Sequence, residues 1–286
     1  MHNAFKPNLA LVLGSGGVRS IAALGVVEVL WREGIAPDLI VGCSAGAMFG
    51  ALISMGHSAT EAVDIATTLW TAEVTKKHRW RAIPQMLWPK LSKFDADFSL
   101  RDDRLIRNRL ERAFGEVKLE ELRLPLRVTA TDAVSGDAIV ISKGRIVDAL
   151  RASIAMPFMF APHYIEGQRV IDGFVSDPLP VSAALDANAV LALGFDAPMP
   201  KQVNGPSRLL AQVTSSMTNN LMRARLAAAE AAGMRLLRIE PTLERRIGLF
   251  DTAAMPYLVE KGRQATEAML PAICKLIERK PELKAA

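Results

Sequence analysis

Residues 42–46, Gly-Cys-Ser-Ala-Gly, have the types and spacing of a turn that presents a serine nucleophile. A hydrophobic strand, Asp38–Val41, leads into them, and a helix of small residues, Ala45–Met55, follows. In a strand–turn–helix of this kind the central side chain leaves the sheet and is presented to a substrate. The positive end of the following helix dipole also favours negative charge at the turn. The pattern therefore predicts that Ser44 is a nucleophile for acyl transfer.

The neighbours of the serine fit the same turn. A sharp turn leaves little space on either side of the nucleophile, and Gly42 and Gly46 occupy those two positions. Cys43 adjoins the serine but is expected to point into the protein, because only the central residue of the turn is presented. We predict that Cys43 is a buried structural residue.

A serine nucleophile needs a base, and the chain has four histidines: His2, His57, His78 and His163. In an α/β-hydrolase the histidine of the triad lies well downstream of the serine and the acid. No histidine follows His163, and that residue follows Pro162 in a loop that enters a strand. The order argues against a Ser-His-Asp triad and leaves His163 as the one histidine candidate.

A carboxylate is the alternative base. Asp172 ends a short apolar strand, and Gly173 after it allows the chain to turn and aim the carboxylate across the sheet. Asp-Gly is also an ordinary turn dipeptide. The local sequence alone therefore leaves both a catalytic and a turn-forming Asp172 open.

A glycine-rich loop follows the first strand. Leu9–Leu13 is apolar, and residues 14–20, Gly-Ser-Gly-Gly-Val-Arg-Ser, open a helix that continues to about Arg32. Such a loop exposes backbone N–H groups that bind an anion, either a phosphate or the oxyanion of acyl transfer. A dinucleotide site is disfavoured, because Arg19 stands where the third glycine belongs and residues 41–43 place no acidic residue after the next strand.

Together the glycine loop with its arginine, the Gly-x-Ser-x-Gly turn and the Asp-Gly pair resemble the bacterial patatin-like phospholipases. Residues 130–136, 149–157 and 172–181 also read like the core of that family. The resemblance covers residues 8–275 as one domain and leaves 276–286 as a polar tail. It implies an α/β fold with three layers, a mostly parallel central sheet and helices on both faces.

The resemblance implies a dyad with Ser44 as nucleophile and Asp172 as its partner, and with no metal or cofactor. Gly16 and Gly17 would supply oxyanion-hole amides, with Val18 as a further donor. Arg19 would hold the oxyanion loop or bind a phosphate headgroup.

The implied activity is hydrolysis of carboxylic esters of phospholipids or lysophospholipids through an acyl-enzyme. This sequence departs from the family pattern at Ser15 and Ser20, where glycine is usual, and at Phe174, where Gly or Ala follows the Asp-Gly pair. Phe174 adds bulk beside the dyad. Two alternatives stay open: an acyltransferase or thioesterase using the same dyad, and a non-catalytic lipid-binding regulatory protein whose pocket Phe174 blocks.

Composition is compatible with one large core. The chain has 286 residues, of which 50% are hydrophobic. Apolar segments alternate with helical ones, which predicts an α/β fold. The predicted strands are 9–13, 38–42, 126–131, 138–142, 169–172 and 189–194.

Cys43 and Cys274 provide no disulfide framework and suit a reducing, cytoplasmic location. We see neither a signal peptide before the first strand nor an apolar run of about 20 residues, the length that spans a bilayer. The sequence therefore predicts a protein that is soluble or peripheral at a membrane.

The net charge of +5 is unevenly distributed. Residues 76–93 contain six Lys or Arg and no acidic residue, with Trp80 and Trp88 among them, and Pro84 and Pro89 are expected to interrupt a helix. Basic residues beside tryptophans are typical of a membrane contact or an active-site lid. The alternative is an exposed loop whose aromatic side chains pack on the domain. The basic patch is too short, and the remaining charge too mixed, to predict nucleic-acid binding.

Overall fold

The structure is a computed structural model that describes residues 6–75, 79–80, 82–88 and 90–278. A mixed sheet of eight strands lies between two layers of helices, as the sequence predicted. The strands are β1 (Leu9–Leu13), β2 (Leu39–Cys43), β3 (Leu126–Asp132), β4 (Ala138–Ile141), β5 (His163–Ile165), β6 (Gln168–Asp172), β7 (Ala189–Leu193) and β8 (Leu236–Ile239). The helices are α1 (Ala22–Arg32), α2 (Ala45–Ser54), α3 (Ala59–Leu69), α4 (Ala82–Leu87), α5 (Arg104–Phe114), α6 (Ile146–Ser153), α7 (Pro206–Ala231) and α8 (Met255–Glu278).

The strand order is β5-β6-β3-β2-β1-β7-β8, and β4 also pairs with β3. The five strands from β3 to β8 in this order are parallel, whereas β4, β5 and β6 are antiparallel to their neighbours. All six predicted strands are present, and β5 and β8 are additional edge strands.

Side chains of the central strands alternate between two cores. In β1, Leu9, Leu11 and Leu13 face the larger core formed with α1, α2 and α8. Ala10 and Val12 face the opposite core, which α7 covers. Because successive side chains of a strand point to opposite faces, five apolar residues in a row predict a strand buried on both sides.

One edge of β3 determines where the candidate dyad lies. β4 pairs with residues 128–131 of β3 and so occupies one edge. The opposite edge is shared by β2, whose last pair is Cys43 with Thr129, and by β6, whose Asp172 pairs with Ala130. Where β2 leaves the sheet, β6 therefore takes its place on the next residue of β3.

The helices differ from the predictions in two places. The predicted helix after the glycine loop begins as a 3-10 turn over 17–21 before α1. Pro84 lies inside α4 rather than interrupting it, because a proline in the first turn removes no intrahelical hydrogen bond.

Lys76, Lys77, His78, Arg81 and Pro89 of the predicted basic segment lie outside the described residues, as does His2. Among the helices that the structure describes, none combines the length and the apolar character needed to cross a membrane.

Candidate active site

Ser44 stands alone between β2 and α2 in a backbone conformation that favours glycine. Its φ is 55° and its ψ is −128°, and α2 begins at the next residue. Holding a residue other than glycine there costs of order 1–3 kcal/mol. Such a turn carries the side chain of its central residue out of the plane of the sheet.

Both glycines of the turn are required by close contacts. A β-carbon at Gly46 would lie 2.4 Å from the carbonyl oxygen of Leu13, and one at Gly42 would lie 2.4 Å from the Cα of Ala47. Cys43 is fully buried, as predicted, and burial raises the pKa of its thiol. The thiol is therefore held protonated in the protein interior, whereas the Ser44 hydroxyl faces Asp172.

Ser44 and Asp172 form a direct hydrogen bond. Ser44 Oγ donates to Oδ2 of Asp172 at 2.7 Å, and Oδ1 of the same carboxylate accepts the backbone N–H of Phe174 at 3.0 Å. Asp172 is 0% exposed and Ser44 is 5% exposed. Burial raises the pKa of Asp172 to about 7. A carboxyl group with this pKa is suited to exchange a proton with a hydroxyl near neutral pH.

The candidate base is held at the end of β6, which pairs with β3 next to the end of β2. Asp172 ends β6, and a β-carbon at Gly173 would lie 2.7 Å from the carbonyl oxygen of Thr129, so only glycine fits next. Thr131 Oγ1 donates to the backbone carbonyl of Asp172 at 3.0 Å. Phe174 contributes its backbone N–H to the carboxylate, which residues other than proline can also do.

A further hydroxyl, which the sequence analysis did not select, touches the nucleophile's backbone. Ser153, the last residue of α6, accepts the N–H of Ser44 at 2.8 Å and donates to the carbonyl of Thr129 at 2.6 Å. The only signal for it in the sequence is its position in the segment 149–157, which resembles the family core.

The glycine loop lies beside the start of α2. A β-carbon at Gly46 would lie 2.6 Å from the carbonyl oxygen of Gly14. Within the part of the chain that the structure describes, the N–H groups of Gly16 and Gly17 donate no hydrogen bond, which leaves them available to an anion. The Val18 N–H, in contrast, donates to the carbonyl of Leu249 at 2.9 Å. The prediction that Val18 supplies a further oxyanion donor therefore does not hold in this conformation.

The Arg19 side chain supports this loop through hydrogen bonds to backbone carbonyl groups. Its Nε donates to the carbonyl of Gly16 at 3.2 Å, and one terminal nitrogen donates to the carbonyl of Asp196 at 3.0 Å. Its guanidinium also lies over the ring of Phe195. Ser20, one of the departures from the family pattern, donates its hydroxyl to the Gly14 carbonyl at 3.0 Å. Both side chains therefore hold the loop from within.

The two described histidines lie apart from this site. His163 begins β5, and its Nε2 is 3.5 Å from Asp148 Oδ1, with its pKa lowered by burial. His57 follows α2 and lines a surface groove beside Trp31. No group of three His, Cys, Asp or Glu side chains suited to holding a metal ion occurs among the described residues. The structure thus brings together Ser44 and Asp172, with the glycine loop next to them.

Comparisons with known proteins agree with the resemblance found in the sequence. An uncharacterized NTE family protein of Mycobacterium tuberculosis is 32% identical over 233 residues, which cover 81% of this chain and 60% of that protein. Patatin-like phospholipase domain-containing protein 7 of Rattus norvegicus is 28% identical over 192 residues, which cover 66% of this chain and 13% of that protein. The chain thus spans about 60% of the length of the mycobacterial relative.

The crystal structure of VipD from Legionella pneumophila aligns with 93% of this chain and 67% of its own, with a TM-score of 0.47 and 16% identity. The model of the family described as patatin-like phospholipase matches residues 11–185, more than half of the sequence. The chain therefore belongs to the patatin-like phospholipase family.

Proposed function

We propose that the protein is a serine lipid acyl hydrolase that cleaves carboxylic esters of phospholipids or lysophospholipids. The hydrogen bond of 2.7 Å between Ser44 Oγ and the buried carboxylate of Asp172 carries this proposal. Membership of the patatin-like phospholipase family supports a lipid ester as the substrate class.

The first half of the reaction transfers an acyl group to the enzyme. Asp172 accepts the hydroxyl proton of Ser44 while Oγ attacks the ester carbonyl carbon. The N–H groups of Gly16 and Gly17 stabilise the oxyanion, and one such donor is commonly worth about 3–4 kcal/mol of barrier. As the tetrahedral intermediate collapses, the bond to the alcohol oxygen breaks and Asp172 returns the proton to that oxygen. The products are the acyl-enzyme and a lysolipid or smaller alcohol.

The second half repeats the same proton transfers with water. Asp172 takes a proton from water as the water oxygen attacks the acyl carbon, and it returns the proton to Ser44 Oγ when the fatty acid leaves. The pKa of about 7 lets one carboxyl group act as base and then as acid at neutral pH. Atoms and charge balance without any further group.

We also propose that the exposed side chains among the described residues of 79–94 dock on an anionic lipid surface. Trp80 is 80% exposed and Leu91 is 86% exposed, and further apolar side chains on this segment are exposed as well: Ile83, Met86, Leu87, Trp88 and Phe94. Lys90 and Lys93 are exposed beside them. Apolar side chains of this size with interleaved cations suit the interface between acyl chains and anionic headgroups.

This surface is connected to the dyad through a short segment. The N–H of Leu100 donates to the carbonyl of Phe158 at 2.8 Å, and Phe158 is itself exposed. Three residues before it, the carbonyl of Ala155 accepts the N–H of Asp172 at 3.0 Å. Residues 155–158 therefore contact both the base and Leu100, which lies six residues after position 94.

The first test is intact mass after incubation with a fluorophosphonate. We expect one adduct on the wild type, none on Ser44→Ala and slow formation on Asp172→Asn. Cys43→Ala should still form the adduct, which would assign the label to Ser44 rather than to the adjoining cysteine. The absence of an adduct on folded wild type, with and without vesicles, would refute the hydrolase and favour a non-catalytic lipid-binding protein.

Product analysis then identifies the reaction. Fatty acid release from phosphatidylcholine or lysophosphatidylcholine supports hydrolysis, whereas transfer of the acyl group to added alcohol or thiol in preference to water supports the acyltransferase alternative. Vesicle sedimentation tests docking: Leu91→Glu should weaken binding to vesicles that contain phosphatidylserine. The matched control is Leu210→Glu on α7, where Leu210 is also an exposed leucine.

A further inference from the structure

The end of α6 contacts the backbone of both members of the candidate dyad. Ser153 Oγ accepts the N–H of Ser44 at 2.8 Å, and two residues later the carbonyl of Ala155 accepts the N–H of Asp172 at 3.0 Å. Residues 153–155 therefore join the two strand ends that carry the nucleophile and the base. Ser153 is fully buried, so no water competes for its hydroxyl.

The Ser44 N–H needs a partner from outside its own elements. Ser44 stands just before α2, and the first N–H groups of a helix have no acceptor within it. It also follows Cys43, which forms the last pair of β2 with Thr129. The Ser153 hydroxyl links Ser44 to β3 at the point where the pairing of β2 with β3 ends. It accepts the N–H of Ser44 and donates to the carbonyl of Thr129 at 2.6 Å.

The same hydroxyl acts on the strained residue of the site. Ser44 has φ 55° and ψ −128°, a conformation that persists only where the surroundings hold it. Its orientation decides whether Oγ points at Asp172. We infer that Ser153 is a positioning residue, which fixes the Ser44 backbone and thereby aims its hydroxyl at the Asp172 carboxylate. This inference rests on the proposed function for its kinetic consequence, but the geometry can be tested without activity.

Ser54 provides a matched control within the protein. It is also a fully buried serine, it is the last residue of α2, and its Oγ has no hydrogen-bond partner among the described residues. Ser54→Ala likewise removes a buried hydroxyl from the last residue of a helix, here α2, which follows the nucleophile. Any effect of losing a buried hydroxyl as such should therefore appear in this variant too.

The kinetic test measures ester hydrolysis and fluorophosphonate labelling. For Ser153→Ala we expect kcat and the labelling rate to fall about 10- to 100-fold, with KM within about twofold of wild type, because misplacement of a reacting group affects the chemical step. Ser54→Ala should stay within about twofold of wild type in both. An unchanged kcat in Ser153→Ala, or an equal fall in both variants, would overturn the inference.

The second test needs no activity and applies even if the proposed function fails. The effect of Ser153→Ala on the unfolding equilibrium constant in urea is measured in wild type and in Ser44→Gly. Glycine adopts the conformation of residue 44 without strain. In the Ser44→Gly background we therefore expect the factor by which Ser153→Ala changes the unfolding equilibrium constant to be smaller than in wild type, by about fivefold or more. Equal effects in the two backgrounds would show that Ser153 does not hold the strained turn. A wild type that neither labels nor hydrolyses, but shows this coupling, would refute the hydrolase and retain the positioning role.

Discussion

Replacing Asp172 with asparagine should stabilise the fold while it removes the base. Burial raises the pKa of this carboxyl group to about 7 from an ordinary value near 3.9. Between these two values the folded protein binds a proton that the unfolded chain does not, so the contribution of Asp172 to stability falls as the pH rises. A pKa shift of this size corresponds to a loss of about 4 kcal/mol in the free energy of unfolding at and above pH 7, because each pKa unit is worth 1.36 kcal/mol.

Asparagine can keep both hydrogen bonds without the charge. Its carbonyl oxygen can accept the N–H of Phe174, and its amide can donate to Ser44 Oγ, which is able to accept. We therefore expect Asp172→Asn to gain about 1–4 kcal/mol at pH 8 and close to nothing at pH 4. Asp177, whose pKa burial raises to about 6, titrates in both proteins and cancels in the comparison.

Urea unfolding of both proteins across pH 4 to 8 is the assay. The difference in the free energy of unfolding should grow through the window from about 4 to 7 and stay constant above it. Asp186→Asn is the control of opposite sign, because Arg127 lowers the pKa of Asp186. That carboxylate stabilises the fold at neutral pH and loses its effect as the pH falls below about 4. An Asp172→Asn protein that is less stable than wild type at pH 8, or a difference that does not vary with pH, would refute the reasoning.

Three further predictions concern the same site. The fluorophosphonate labelling rate should rise with pH as Asp172 ionises and reach a plateau above about pH 7, and a rate independent of pH between 5 and 8 would contradict its role as base. Gly46→Ala should destabilise the protein by about 3 kcal/mol or more in thermal unfolding, because the new methyl group would lie 2.4 Å from the Leu13 carbonyl oxygen; a loss under about 1 kcal/mol would show that the contact yields. Arg19→Met should slow labelling about tenfold or more by releasing the Gly16 carbonyl and with it the oxyanion loop, and unchanged labelling would assign Arg19 to packing alone.

The sequence predicted the central sheet because its strands are apolar on both faces. β1 and β7 are five consecutive buried apolar residues each, a pattern typical of parallel strands that are covered on both faces. β5 and β8 escaped prediction because they are three and four residues long and lie at the edges of the sheet, where their burial is partial. Their pairing depends on the neighbouring strand rather than on their own composition.

The candidate site was predictable where function requires a particular residue type at a particular spacing. Ser44 was selected in this way and Asp172 through the resemblance to the patatin-like phospholipases, and the structure places them in contact. Ser153 was not, because a single serine at the end of a helix has no pattern of its own. The hydrogen bond from the Val18 N–H to the Leu249 carbonyl, which occupies this donor, was also unpredictable. The two residues come together only in the folded chain.

The shared edge of β3 makes the spacing of Ser44 and Asp172 independent of loop length. The residue pairs that bring them together are Cys43 with Thr129 and Asp172 with Ala130, on adjacent positions of one strand. The described residues between positions 55 and 125, which include α3, α4 and α5, add no strand to the sheet. This stretch can consequently lengthen, shorten or be exchanged in evolution without moving the nucleophile from its base, so that the surface offered to a partner and the reacting pair can diverge separately.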